Sequence, residues 1–242
     1  WIFACGIGRI DGAVLVLEQF VLARLDAEAP FLAAIAAALS GASLLVTYNG
    51  KSFDLPLLAT RLGLTARDGG YVGHAGAMAD KGVGDAPVLA GLPSRLAGLT
   101  HLDLLHPLRR AFAPVWPDCR LATAEARLLK LVRYGDLPGS QAPAAWLDWL
   151  RCGRAQPLAK VLSHNRLDIL SLASLGAPLA LTLRDPARTG ADPAAVAAWH
   201  RDRGDPVRAL GVLEANRHTL AAPGLLELAR LRLRNGDLTG AQ

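Results

Sequence analysis

The 242-residue chain predicts an α/β domain followed by a small all-α segment. Three observations carry this. Apolar runs of strand length alternate with stretches of helical composition as far as Arg184. Two of those runs meet at Asp11-Gly12, the strongest short hairpin signal. Beyond Arg184 the character changes: Asp185-Pro186 and Gly190-Ala191-Asp192-Pro193 form a linker (185–193), and only helical sequence follows it. A hydrophobic content of 52% excludes a disordered chain and fits a packed core.

The elements follow in order. Trp1 to Ile10 and Ala13 to Phe20 are the hairpin strands. Asp26 to Leu39 is helical, with Asp26 as N-cap and Gly41 as stop. Ser43 to Thr47 is a buried strand, broken by Tyr48-Asn49-Gly50-Lys51-Ser52, and Asp54-Leu55-Pro56 opens a helix to about Leu62. Gly63 to Gly98, rich in Gly and Ala, reads as a long insertion. A short strand at His101 to Asp103 leads into a helix through Phe112, and Leu121 to Leu131 and Ala142 to Leu150 are helical. Pro157 to about Leu183 is the longest helix, bent or broken near Gly176-Ala177-Pro178. In the tail, Gly204-Asp205 and Ala209 recur as Gly236-Asp237 and Ala241 at an offset of 32 residues. That spacing suits tetratricopeptide-like helix–turn–helix repeats over 194–242, a surface for a protein partner.

Charge and cysteine usage narrow the class. Lys and Arg number 26 against 21 Asp and Glu, a net +5. Only four of the 26 are Lys, so the basicity reports genome composition as readily as nucleic-acid binding. Cys5, Cys119 and Cys152 form no Cys-x-x-Cys pair, which argues against a disulfide framework or zinc site and for a reducing cytoplasm. The apolar run from Ile169 to Leu183 is too short to span a bilayer, so no membrane association is expected. Trp1 already lies inside a strand-like run, and the chain reads as a fragment.

Two motifs can carry chemistry. In Tyr48-Asn49-Gly50-Lys51-Ser52-Phe53-Asp54 an apolar strand runs into a polar turn with Asp54 at the head of a helix. Side chains converge at such strand ends, although Asp54 can equally be an N-cap. In His164-Asn165-Arg166-Leu167-Asp168, His164 and Asp168 stand four apart on one helix face, extended by Lys160 and Ser171. An Asp on an apolar helix needs a partner: a shared cation, or more plainly Arg166 or Lys160. His101, Asp103 and His106 look like a metal cluster, but strand-to-helix geometry should splay them apart. Trp146 and Trp149 read as core anchors, Glu28 as first-turn helix charge, and Arg109-Arg110 as either a phosphate contact or a solvated face.

Together these blocks resemble the DEDD exonuclease superfamily, the DnaQ-like branch of the RNase H fold, and within it the YprB-like family. The resemblance runs from Trp1 to about Leu183. It takes in Gly6 to Arg9, Tyr48 to Asp54, His101 to Arg110, Pro138-Gly139 and His164 to Leu172. It implies an RNase H-like fold with a mixed central sheet flanked by helices, and a 3′-5′ exonuclease that hydrolyses phosphodiester bonds with two Mg²⁺ or Mn²⁺ ions. It also implies that Asp54 and Asp168 are metal ligands of the second and third motifs, and that His164 orients or deprotonates the attacking water. Asn49 and Phe53 would meet the nucleic acid, at single-stranded ends. The family's first motif, Asp-x-Glu on a strand, does not occur here, and Asp11 and Glu18 do not replace it. Half of the family's metal ligands are therefore absent, and this chain alone is expected to be inactive. The alternative is a non-catalytic nucleic-acid-binding or scaffold protein that keeps the fold.

Overall fold

The computed structural model describes residues 1–67 and 98–234. They divide into two compact units. The first comprises Trp1–Asp103 and Arg133–Ala173, the second Leu104–Val132 and Ser174–Gln242.

In the first unit the hairpin strands are β1 (Ala4–Asp11) and β2 (Val14–Val21), antiparallel with Asp11 opposite Val14. The turn residues are thus Gly12 and Ala13, one position later than Asp11-Gly12. Gly12 takes φ +60, which only glycine adopts without cost, and Ala13 does not need a positive φ. Helix α1 (Glu28–Leu39) follows a single turn of 3-10 helix at Leu25–Ala27. Asp26 does not cap it as expected: its carboxylate is taken by Arg24, and no side chain caps α1. Strand β3 (Leu44–Thr47) pairs in parallel with β4 (Thr100–Asp103), between which α2 (Asp54–Arg67) runs one turn beyond the expected end. Most of the Gly63–Gly98 insertion lies outside the described residues. Antiparallel and parallel pairing are both present, as a mixed sheet requires. Among the described residues, however, they form two separate two-stranded sheets, because no strand ladder joins their edges.

The core of this unit gathers Leu22, Phe31, Leu32, Ile35, Leu58, Leu62, Trp146 and Leu158, all buried. The helix at Ala142–Cys152 contributes Trp146, whose indole N–H donates to the Leu22 carbonyl at 2.7 Å and whose ring stacks on Phe3. Trp149 donates likewise to Ala23 O at 3.0 Å, so both tryptophans anchor the hairpin's exit. Glu28 is paired with Arg61 of α2, a structural contact.

The second unit is helical. It holds α3 (Leu105–Phe112) and α4 (Leu121–Ala124), the latter continuing as one π-helical turn at Glu125–Leu129 where a uniform helix to Leu131 was expected. The numbering then passes back through the first unit, where α5 spans Ala142–Cys152. Helix α6 (Ala155–Arg184) spans residues of both units and is continuous through Gly176 and Pro178, without the expected break. Thr182 returns its hydroxyl to the Pro178 carbonyl at 2.9 Å. By length and composition alone α6 could cross a membrane, an option the shorter apolar run had hidden. After a short turn, α7 (Pro186–Thr189), come α8 (Pro193–Arg201), α9 (Pro206–Ala215) and α10 (Ala222–Arg234).

Between α8 and α9, Gly204 takes φ +78 and Asp205 accepts the Arg208 N–H at 3.0 Å. The first Gly-Asp pair is therefore a turn plus N-cap. Ala209 behind it is fully buried between helices. The second pair, Gly236-Asp237, lies outside the described residues. Arg110 pairs with Asp202 at 2.5 Å, so it is engaged within this unit.

Candidate active site

The Tyr48-to-Asp54 loop is built from the C-terminal ends of the parallel strands. Residues Thr47 and Asp103 are opposite each other, the last pair of the β3–β4 ladder. From there the Asp103 carboxylate, only 2% exposed, accepts the N–H of Asn49 at 2.8 Å and that of Lys51 at 3.0 Å. His101 bonds the Thr47 hydroxyl at 2.8 Å. Asn49 sits in the left-handed region at φ +65, which Asn tolerates better than most residues. Gly50 is buried against Thr47: an added Cβ would fall 2.5 Å from Thr47 Cβ, leaving no room for any other residue. A charge-assisted clamp on two backbone amides thus holds a strained turn in one shape. Asn49 is exposed, and Phe53 presents its ring to solvent with 64% exposure.

At the end of this turn Asp54 opens α2. Its carboxyl is held above the ordinary range, first by loss of water around it and then by the charge of Asp103, against a lowering from its own backbone N–H. The Cys5 thiol on β1 is pushed up to about 11 by burial and by the charge of Asp54. Cys5, Asp54 and Asp103 therefore share one electrostatic neighbourhood, in which each carboxylate raises the group beside it.

The His164–Asp168 pair is docked onto the hairpin. β1 offers Gly6 and Gly8 to α6, where Asn165 and Ile169 approach the backbone so closely that no Cβ would fit. Gln19 of β2 donates both to Asn165 Oδ1 at 2.9 Å and to Leu162 O at 2.7 Å. On the adjoining face Asp168 Oδ1 accepts from Arg133 Nη2 at 2.7 Å, with His164 Nε2 at 3.4 Å from its other oxygen. The expected cations, Lys160 and Arg166, are exposed on the helix. The partner is instead Arg133, from the loop between the π turn and α5, with a side chain 9% exposed. In that loop Gly135 takes φ +66, and Asp136 comes back to meet His164 Nδ1 at 2.7 Å. Burial raises the Asp136 carboxyl, but the hydrogen bond and charge of His164, then those of Arg133, outweigh it and hold the group below the ordinary range.

Arg133 and Asp136 are thus neighbours of the motif residues that the sequence reading does not name, and Asp103 takes a role it does not foresee. Asp103 had been considered only as a metal ligand. Asp136 carried a usable signal, a Gly-Asp turn just ahead of Pro138-Gly139. Arg133 gave none, because its partner lies 35 residues away. His106 is exposed on α3, while His101 and Asp103 are committed to the loop.

A divalent ion needs several convergent oxygens. Among the described residues no three His, Cys, Asp or Glu side chains gather closely enough to hold one. Asp54 has the right character, an ionisable carboxyl beside another carboxylate whose repulsion a cation would relieve. Asp168, by contrast, already has its charge met by Arg133. Among the described residues, then, no complete set of metal ligands is assembled.

Comparison with known proteins gives the family. A profile of the RNase_H superfamily matches residues 1–180. The chain belongs to that superfamily. The uncharacterized protein YprB of Bacillus subtilis (strain 168) is 35% identical over 131 residues. That match covers 54% of this chain and 26% of the relative, so the chain corresponds to about a quarter of that protein's length. No solved structure matches significantly. Membership in the RNase H superfamily points to a nuclease-type function with nucleic acid as partner, and nucleases of this superfamily generally use divalent metals.

Proposed function

We propose that this chain is the nuclease part of a phosphodiester hydrolase of the 3′-5′ exonuclease type, acting on single-stranded ends of nucleic acid. The observation that carries the reading is the clamped turn at the end of β3. It spends a buried carboxylate, Asp103, on fixing the backbone from Asn49 to Lys51, and it leaves Asn49, Phe53 and Asp54 at the surface. A packed core does not need such a device; a site that must present side chains in one geometry does. Phe53 offers a ring for a terminal base to stack on, and Asn49 an amide for the strand.

Two Mg²⁺ or Mn²⁺ ions, when bound, would supply an activated hydroxide and neutralise charge on the phosphate and leaving oxygen. Asp54 and Asp168 are the residues of this chain that would contribute to holding them, together with carboxylates that the described residues do not provide. Everything else is done by the protein itself. His164 holds its Nε2 at the edge of the Asp168 carboxylate, where it can take a proton from water. Arg133 orients the Asp168 carboxylate through its hydrogen bond to Oδ1. The free cysteines suit a cytoplasmic setting, and the helices from Pro193 onward are proposed to receive a protein partner.

A second reading has its own support. The Arg133–Asp168 ion pair, and the lack of a three-ligand group among the described residues, suit a non-catalytic scaffold that binds nucleic acid without cutting it.

End-labelled single-stranded DNA and RNA incubated with Mn²⁺ separate the two. The chain alone should cleave little. The same chain joined to an upstream strand bearing Asp-x-Glu should degrade the substrate from its 3′ end, and Asp54→Asn or Asp168→Asn should abolish that. His164→Ala should slow it by about 10²–10⁴-fold while binding persists. Binding without cleavage in the extended chain would establish the scaffold reading instead.

A further inference from the structure

We propose that Asp136 is the positioning residue for His164. It holds the imidazole as the Nδ1–H tautomer, so that the Nε2 lone pair faces the Asp168 carboxylate. The inference rests on the reading of His164 as the group that takes a proton from water, and it adds the element that makes this ring an acceptor on the correct side.

The geometry decides between the two tautomers. Asp136 Oδ2 lies 2.7 Å from His164 Nδ1. At that distance an unprotonated Nδ1 would press its lone pair against a carboxylate oxygen, two acceptors with no hydrogen between them. A proton on Nδ1 makes the same contact a short charge-assisted hydrogen bond. Arg133 Nη1 also approaches Nδ1, at 3.4 Å, and would favour the opposite tautomer by donating to it. That distance lies beyond ordinary N–H···N bonding, so the shorter contact to the carboxylate prevails. The same Arg133 nitrogen sits 3.4 Å from Asp136 Oδ2, where it reinforces the carboxylate's charge.

Asp136 is itself held in place. Gly135, at φ +66, reverses the chain just before it, and Asp136 Oδ1 accepts the Leu137 N–H at 3.0 Å. One oxygen is thereby tied to the backbone and the other is aimed at the ring. With Nδ1 so occupied, Nε2 is left as a lone pair 3.4 Å from Asp168 Oδ2. Two acceptors that converge at this spacing suit a water or a cation between them. A ring held by a carboxylate on one nitrogen and acting through the other is the arrangement that sets tautomer and basicity in general-base histidines.

The test is nitrogen NMR on the chain as it stands, with ¹⁵N-labelled histidine and neither metal nor substrate. It is run at about pH 9, well above the ordinary imidazole value. The expected spectrum gives His164 a pyrrole-type Nδ1 and a pyridine-type Nε2. Asp136→Ala should return the ring to the Nε2–H form that an unrestrained imidazole prefers. Asp136→Asn should give a mixture, since its amide can accept from or donate to Nδ1. Asp136→Glu should restore the Nδ1–H form in part. An Nε2–H ring in the unsubstituted chain overturns the proposal, and so does an Nδ1–H ring that persists in a folded Asp136→Ala chain. If the alanine variant does not fold, the unsubstituted spectrum and the Asn and Glu variants still decide. The readout needs no turnover, so it separates from the nuclease reading. An Nδ1–H ring in an extended chain that cuts nothing defeats only the hydrolase assignment, and an Nε2–H ring in an active one defeats only the role of Asp136.

Discussion

Gly6→Ala places a single methyl group at the contact between the hairpin and the helix that carries His164 and Asp168. The new Cβ would lie 2.2 Å from Ile169 Cδ1 and 2.3 Å from Asn165 Oδ1, whereas carbon atoms rest at about 3.5–4.0 Å. Something must move by more than an ångström. The Ile169 tip can rotate, but it is packed in a buried site. The Asn165 oxygen is held by Gln19 at 2.9 Å, and Gln19 is held again by Leu162 O, so its displacement breaks or drags a two-bond clasp. Overpacking of this kind costs about 1–3 kcal/mol, and a lost hydrogen bond adds about 0.5–1.5 kcal/mol. Replacing Gly by Ala returns about 0.4–1 kcal/mol by stiffening the unfolded chain. The net expectation is a loss of about 0.5–4 kcal/mol. At about 2–4 °C per kcal/mol for a protein of this size, the melting midpoint should fall by roughly 1–16 °C. Tryptophan fluorescence follows the transition, since Trp146 and Trp149 bond the end of the same hairpin. Ile169→Val removes one of the two clashing atoms, so the double variant should be less damaged than the sum of the singles, by about 0.5 kcal/mol or more. An unchanged or raised midpoint in Gly6→Ala would show that α6 does not press on β1 as described.

Two further outcomes concern the acidic neighbourhood of Asp54. Its carboxyl is raised in the folded chain, so folding favours the protonated form: stability is greatest below the ordinary carboxylate value and falls as pH rises through the raised one. Asp54→Asn should therefore raise the metal-free melting midpoint at pH 7 and leave it nearly unchanged at about pH 3, and a fall at neutral pH would mean the charge is welcomed there, as by a helix N-terminus. The Cys5 thiol, at about 11 against 9.0 unperturbed, should react with iodoacetamide roughly 100-fold more slowly at pH 8 than its ordinary thiolate fraction would allow, with exposed Cys152 as the fast reference. Asp54→Asn should quicken Cys5 only modestly, since burial is the larger cause; equal rates for the two cysteines would contradict the buried placement.

Elements set by local pattern were legible in the sequence. The hairpin, α5 and the Gly204-Asp205 turn follow from apolar runs and turn chemistry that operate within a few residues. The hairpin's turn moved by one residue because the ladder register, not the dipeptide, decides which residue takes the positive φ. The break expected near Pro178 does not occur: the helix carries one missing N–H there and continues to Arg184. At the site, Asp54, His164 and Asp168 announced themselves by residue type and spacing. Their partners did not. Asp103 reaches Asn49 across 54 residues, and Arg133 reaches Asp168 across 35. Such pairs leave no periodic trace, so the nearer charges Lys160 and Arg166 were the plainer choice, although the fold turns both toward solvent.

The parallel pairing of β3 and β4 has a consequence for how the chain tolerates change. The clamp on the Asn49 turn exists only after two strands far apart in sequence have met, so the turn cannot adopt its shape in a nascent or cleaved chain that stops before Asp103.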